Sequence, residues 1–326
     1  MHKFVLKHLA ILHYFMGLIS LGLAAFLFAN GCSIKSTVES TTETIAKTTK
    51  KIARDITFAG DGLKKVVAVV RFEDKLSQAD ESFQNKFYQD LVEHLKSHCD
   101  DLIVVESESK DHTGPISQLP KLASGQVDNF AVAVIGRQLG LNAVISGNLV
   151  NIRPLDELGG ILWMKDARYS LEVLMSTQVY DTQTATKIID ESFTREVEID
   201  EIDYAEIKRT NAQNFSKLNQ AYDKIIVDMG ERICEAVGQK NWAGYVTAVD
   251  GEKFIISAGG LVGLKQGNVL EVFDSGRILE GIDGQRFYSA GYKTAELEIV
   301  AISDNQAEAV KINGRGLKVG SVVRKK

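Results

Sequence analysis

The chain has 326 residues, 44% of them hydrophobic and 25% charged, a mix that excludes both a disordered polymer and a bundle of membrane spans. With 38 basic and 43 acidic residues the formal charge is −5, which excludes a broad electrostatic footprint for nucleic acid. Three cysteines are too few for a disulfide scaffold, and the length allows two domains besides a terminal segment.

Lys3 and Lys7 precede an almost uncharged run over residues 9–29, followed by Asn30, Gly31 and Cys32. A basic flank, an apolar core and small residues make an export signal. The run exceeds an ordinary signal core and suffices for a spanning helix of about 20 residues, so length alone leaves cleavage open. Ala29-Asn30-Gly31-Cys32 resembles the bacterial lipobox, which implies cleavage before Cys32 and acylation of its thiol. In either case the body lies outside the inner membrane. Ser33 after the cysteine resembles the outer-membrane sorting signal and implies an outer-membrane lipoprotein on the periplasmic side. Residues 1–31 therefore read as a signal peptide, and residues 32–60, rich in Ser, Thr, Glu and Lys, as a tether.

Residues 61–238 read as one α/β domain. Val66-Val67-Ala68-Val69-Val70-Arg71-Phe72 is a β-branched run of the kind buried on both faces of a sheet. Phe83, Phe87, Leu91 and Leu95 step by four and predict a helix that covers it. Leu102-Ile103-Val104-Val105 is the next strand. Phe130, Val134 and Leu139 mark a second helix stopped by Gly140, and residues 143–150 form a third strand. From Tyr169 the apolar residues alternate through Val179, Asp181-Thr182-Gln183-Thr184 turns, and residues 187–199 return, so an antiparallel hairpin closes one sheet edge. Leu218, Tyr222, Ile225, Met229, Ile233 and Val237 outline a long helix over the sheet.

The first strand, the phrase Leu139-Gly140-Leu141-Asn142-Ala143 entering the third strand, and the Asp181-Thr182 turn resemble the α/β domain shared by the curli secretion lipoprotein CsgG, the N-terminal part of TolB and the middle of the flagellar assembly protein FlgT. The resemblance implies an envelope protein acting through contacts with other envelope proteins and with copies of itself.

Residues 241–326 read as a small all-β domain. Asp250-Gly251 between two apolar runs is a strong hairpin signal. Short alternating runs follow at 269–273, 295–302, 307–312 and 321–323, the spacing of a small barrel. Gly263-Leu264-Lys265-Gln266-Gly267-Asn268-Val269 recurs as Gly316-Leu317-Lys318-Val319-Gly320-Ser321-Val322. Each copy runs into a strand, so the glycines frame tight turns and not a phosphate loop. This arrangement resembles the C-terminal SH3-like barrel of FlgT. The expected fold is α+β: a mixed sheet with flanking helices in three-layer style, followed by an SH3-like barrel.

Candidate chemistry is sparse. His94 and His98 share a helix face, with Cys99 adjacent, but the set is incomplete for a metal and reads as a helix-margin pair. Cys99 and Cys234 are either a bridge across two helices or two buried thiols. Asp200, Glu201, Asp203 and Glu206 lack calcium-loop spacing and read as a helix start. Trp163 and Met164, after Gly159-Gly160, read as an apolar loop on a sheet edge and a candidate interaction loop. With no nucleophile elbow or Walker loop, the expectation is a non-enzymatic lipoprotein without metal or cofactor, in a flagellar ring or secretion apparatus. The alternatives are a CsgG-like secretion pore subunit and a lipoprotein activator of a cell-wall synthase.

Overall fold

The computed structural model describes residues 62–70, 73–74, 81–106, 116, 118–161, 164–210 and 216–326. Gly60–Lys326 forms one compact unit. Its first part is a mixed sheet ordered β3-β1-β4-β5-β6, built from β1 (Lys65–Val69), β3 (Leu102–Glu106), β4 (Ala143–Ile161), β5 (Met164–Asp181) and β6 (Thr186–Ile199). A short β2 (Glu73–Asp74) pairs in parallel with β4. β1 runs parallel to β3 and β4, whereas β4, β5 and β6 meander antiparallel, as expected for a hairpin at one edge.

β1 is buried on both faces because its neighbours on each side are apolar. Val67 and Val69 join the core beneath helices α1 (Glu81–His98) and α4 (Ser216–Gly238), and Ala68 and Val70 face α2 (Asn129–Gln138). Phe87, Leu91 and Leu95 of α1 and Ile225, Met229 and Ile233 of α4 complete the first core. A short α3 (Glu201–Thr210) follows β6. Among the described residues no helix is long and apolar enough to cross a membrane.

The second part is a closed six-stranded barrel ordered β12-β13-β8-β7-β14-β9. Its strands are β7 (Gly244–Asp250), β8 (Lys253–Ile256), β9 (Val269–Phe273), β12 (Lys293–Ile302), β13 (Ala307–Gly314) and β14 (Val322–Lys325). The repeated phrase acquires a reason here. Gly263, Gly267, Gly316 and Gly320 all have positive φ, between 80° and 97°. In each copy the lysine N–H donates to a side-chain oxygen three residues on, Lys265 to Asn268 Oδ1 (2.9 Å) and Lys318 to Ser321 Oγ (3.2 Å). The two turns launch β9 and β14, which are hydrogen-bonded neighbours.

Two features depart from the sequence reading. The third strand does not stop at residue 150: β4 continues to Ile161 and pairs with β5 up to Ile161↔Met164, so the expected loop after Gly159-Gly160 is the end of a two-stranded ribbon. The barrel also carries an unanticipated hairpin, β10 (Ile278–Glu280) with β11 (Arg286–Tyr288), reaching toward α2. The barrel core contains Leu63, from just before β1, whose neighbour Lys64 donates its N–H to Val262 O at 2.9 Å.

Candidate interaction site

The two parts are locked where the β5–β6 turn meets the barrel. Asp181 shapes that turn by accepting from Gln183 N (2.8 Å) and Thr184 Oγ1 (2.9 Å). The fully buried Thr182 hydroxyl then bridges Leu141 O and the Tyr245 hydroxyl of β7. Arg137, on α2, donates Nε to Thr182 O (2.9 Å) and Nη2 to Gln183 O. Its guanidinium lies 3.5 Å from the Tyr288 ring centre, Tyr288 stacks on Phe130 at 4.8 Å, and the Arg286 guanidinium caps Phe130 at 4.4 Å. This alternating cation and ring column joins α2 to the barrel hairpin. Burial pushes the Arg137 guanidinium below its ordinary value, while the neighbouring Tyr245, Tyr288 and Asp181 pull the other way. Burial pushes the Tyr245 phenol up to about 12, so it stays neutral and serves as a hydrogen-bond partner.

Small residues let this junction close. A Cβ at Gly136 would fall 2.3 Å from Thr182 Cγ2, and one at Gly140 would fall 2.7 Å from Ser257 O in the barrel. Gly140 also has φ +71°, which gives the glycine of the Leu139-Gly140 phrase a physical role. Asn142 spans the same seam, accepting from Val66 N (2.9 Å) and donating to Ala243 O (2.7 Å).

Besides exposed aliphatics scattered over other elements, this compact unit carries exposed apolar side chains close together in two places. The β10–β11 hairpin carries Ile278, Leu279 and Ile282, the last 81% exposed, with Tyr292 just beyond it. Leu158 on the β4–β5 ribbon and Ile202 on α3 are exposed to 76% and 77%, and the Tyr204 hydroxyl donates to Asp156 (2.7 Å) between these two elements. Clusters of this kind mark contact surfaces, whereas scattered exposed aliphatics need no explanation. A cleft of about 750 Å³ lies between β3, the end of α2 and the barrel; Val66, Ile103, Val105, Leu141 and Leu261 supply apolar walls. Among the described residues β3 forms one end of the sheet and pairs only with β1, while the opposite end strand, β6, carries Asp190, Glu191, Arg195, Glu196 and Glu198.

Met164 opens β5 directly across from Ile161, at the ribbon end and not in a loop; Trp163 lies outside the described residues. Cys32, the signal segment and the tether also lie outside them. Cys99 and Cys234 form a disulfide between the end of α1 and α4. His94 and His98 stack with ring centres 4.3 Å apart. His94 Nε2 is buried beside Gly230, and burial lowers its pKa, with the His98 charge adding to the effect. Asp200 accepts from Asp203 N at 2.7 Å at the start of α3, so the acidic cluster is a helix start. Sequence reasoning missed Arg137 and the barrel hairpin; a lone arginine in an apolar helix was the only signal for the former.

No family model matches the chain. No curated protein matches it either. Among solved structures it is similar to a hypothetical protein from Chlamydia trachomatis, at 14% identity over 53% of this chain and 98% of that one, with a TM-score of 0.34. It is similar to a minor lipoprotein from Acinetobacter baumannii, at 12% identity over 52% of this chain and 93% of that one, with a TM-score of 0.27. A lipoprotein from Neisseria meningitidis aligns at 9% identity over 51% of this chain and 99% of that one, with a TM-score of 0.29. Likenesses of this strength carry no argument about function.

Proposed function

We propose that this chain is a non-enzymatic bacterial envelope lipoprotein, held at the membrane through Cys32, that acts as a structural or assembly subunit by binding neighbouring envelope proteins and further copies of itself. The observation that supports this most is the β10–β11 hairpin with its exposed Ile278, Leu279 and Ile282, presented on a junction held by the buried Arg137 and Tyr245 and the half-buried Tyr288. A flagellar ring or a secretion apparatus is the setting that the sequence resemblance suggests. A pore reading requires a ribbon with one unbroken apolar face. The β4–β5 ribbon places Glu157↔Arg168 and Arg153↔Glu172 on one face and Asp156 on the other, which favours the subunit reading. The test is native electrophoresis of detergent-solubilised envelopes. The full chain is expected in an assembly larger than a monomer, and Leu279→Asp with Ile282→Asp is expected to dissolve that assembly without lowering the Tm. A soluble monomer, or an assembly indifferent to both substitutions, contradicts the proposal.

A further inference from the structure

We propose that a second, polar cavity between the sheet and the barrel hairpin binds a short oligosaccharide. Its floor is β4 and β5 next to the start of α2; its walls are residues 119–127 and the β10–β11 hairpin. Its volume is about 820 Å³. Small-molecule sites typically span roughly 300 to 1,000 Å³ and favour domain interfaces, and this cavity meets both conditions.

The lining chemistry selects the ligand class. Asn129, Asn148, Gln126, Gln178 and Gln285 bring five carboxamides to one cavity, and Ser146 adds a hydroxyl. A carboxamide donates and accepts in one plane, as a sugar hydroxyl donates and accepts from one atom, so a polyhydroxylated ligand can pair with both ends of Asn148, Gln126 and Gln285, while Gln178 and Asn129 are engaged within the protein. The floor is held in place before any ligand arrives. The Tyr180 hydroxyl donates to Gln178 Oε1 (2.6 Å), and Gln178 Nε2 donates to Asp190 Oδ1 (3.1 Å). The Lys187 ammonium donates to Asp190 Oδ2 (2.8 Å), so its charge is met within the protein.

Asn129 fixes the edge of the cavity. It is only 7% exposed, and its Nδ2 donates to Ala185 O (2.5 Å) and Arg286 O (3.0 Å). Its Oδ1 is buried with no partner among the described residues. A buried acceptor left unpaired costs about 1–3 kcal/mol, a cost the two bonds from Nδ2 offset by tying α2 to the barrel hairpin beside the cavity. Phe287, half-buried on the wall, offers the apolar surface against which the C–H face of a pyranose packs.

The test is calorimetric titration of the full chain in detergent with tri-N-acetylchitotriose and, separately, maltotriose. Saturable binding of at least one sugar is expected, weakened about tenfold or more by Asn148→Ala and by Gln178→Ala, and unchanged by Thr247→Ala in the other cleft. The Asn148 side chain makes none of the hydrogen bonds that hold the floor, so N148A separates ligand loss from misfolding; an unchanged Tm verifies this. Binding of neither sugar at about 10 mM, or binding indifferent to both cavity substitutions, overturns the proposal.

Discussion

Arg137 and Tyr288 come from different halves of the molecule, and the guanidinium of one lies 3.5 Å from the ring centre of the other. Because Arg137 also donates to two carbonyls of the β5–β6 turn, a single side chain ties helix, turn and barrel hairpin together. Removing it leaves two buried carbonyls and an unstacked ring. Arg137→Ala is expected to cost about 2–4 kcal/mol in urea unfolding, and Arg137→Lys to recover less than half, since an ammonium lacks the planar fork. Full stability in R137K would contradict the clamp.

Gly140 and Gly251 both have positive φ, +71° and +59°, but only Gly140 faces a neighbour, Ser257 O at 2.7 Å from a built Cβ. Alanine at Gly251 is expected to cost about 1 kcal/mol, from backbone strain alone. Alanine at Gly140 should cost more than 2 kcal/mol, because the barrel must also retreat. Equal costs by thermal unfolding would show that the close approach is unimportant.

The Cys99–Cys234 bond closes a sequence separation of 135 residues between α1 and α4. Chain-entropy reasoning gives such a crosslink roughly 3–5 kcal/mol. Dithiothreitol should lower the urea midpoint of the wild type and leave that of the Cys99→Ser/Cys234→Ser double variant unmoved. A wild-type midpoint insensitive to full reduction would refute this.

Glu296 accepts hydrogen bonds from Lys293 (2.6 Å), Lys326 (2.9 Å) and Asn313 (2.9 Å). With Lys293 foremost among them, they hold its carboxyl down at about 2, from an ordinary 4.5. Since the folded value is depressed, the stabilisation is complete above the unfolded pKa and fades as pH falls from about 4.5 through about 2. The Tm gap between wild type and Glu296→Gln should therefore be constant at neutral pH and narrow in acid. A gap that widens in acid would reverse the sign of this assignment.

Much of the fold was legible where one residue pattern had a single physical solution. The run around Val67 had to be buried on both faces, and the paired Gly-x-x-x-Gly phrases had to be turns because each ran into a strand. The ribbon was hidden by Gly159-Gly160, which read as the approach to a loop, and it also contains Pro154. Proline is tolerated there because that stretch of β4 has left β1 and is paired with β5, so a missing N–H breaks no ladder bond. The β10–β11 hairpin was hidden because its strands are three residues each and it is held by distant partners, Tyr288 N on Thr184 O at 2.9 Å and Arg286 O on Asn129. Local propensity carries no trace of such contacts. The column of Arg286, Phe130, Tyr288 and Arg137 was illegible for the same reason.

The claim that this chain works by gripping neighbours is tested most directly by placing a photo-crosslinking amino acid at Ile282 in living cells, with Lys311 on the barrel surface as the control. A discrete, reproducible adduct with another envelope protein or a second copy, formed from Ile282 and not from Lys311, is the predicted result. Identical, adduct-free patterns from both positions would contradict it.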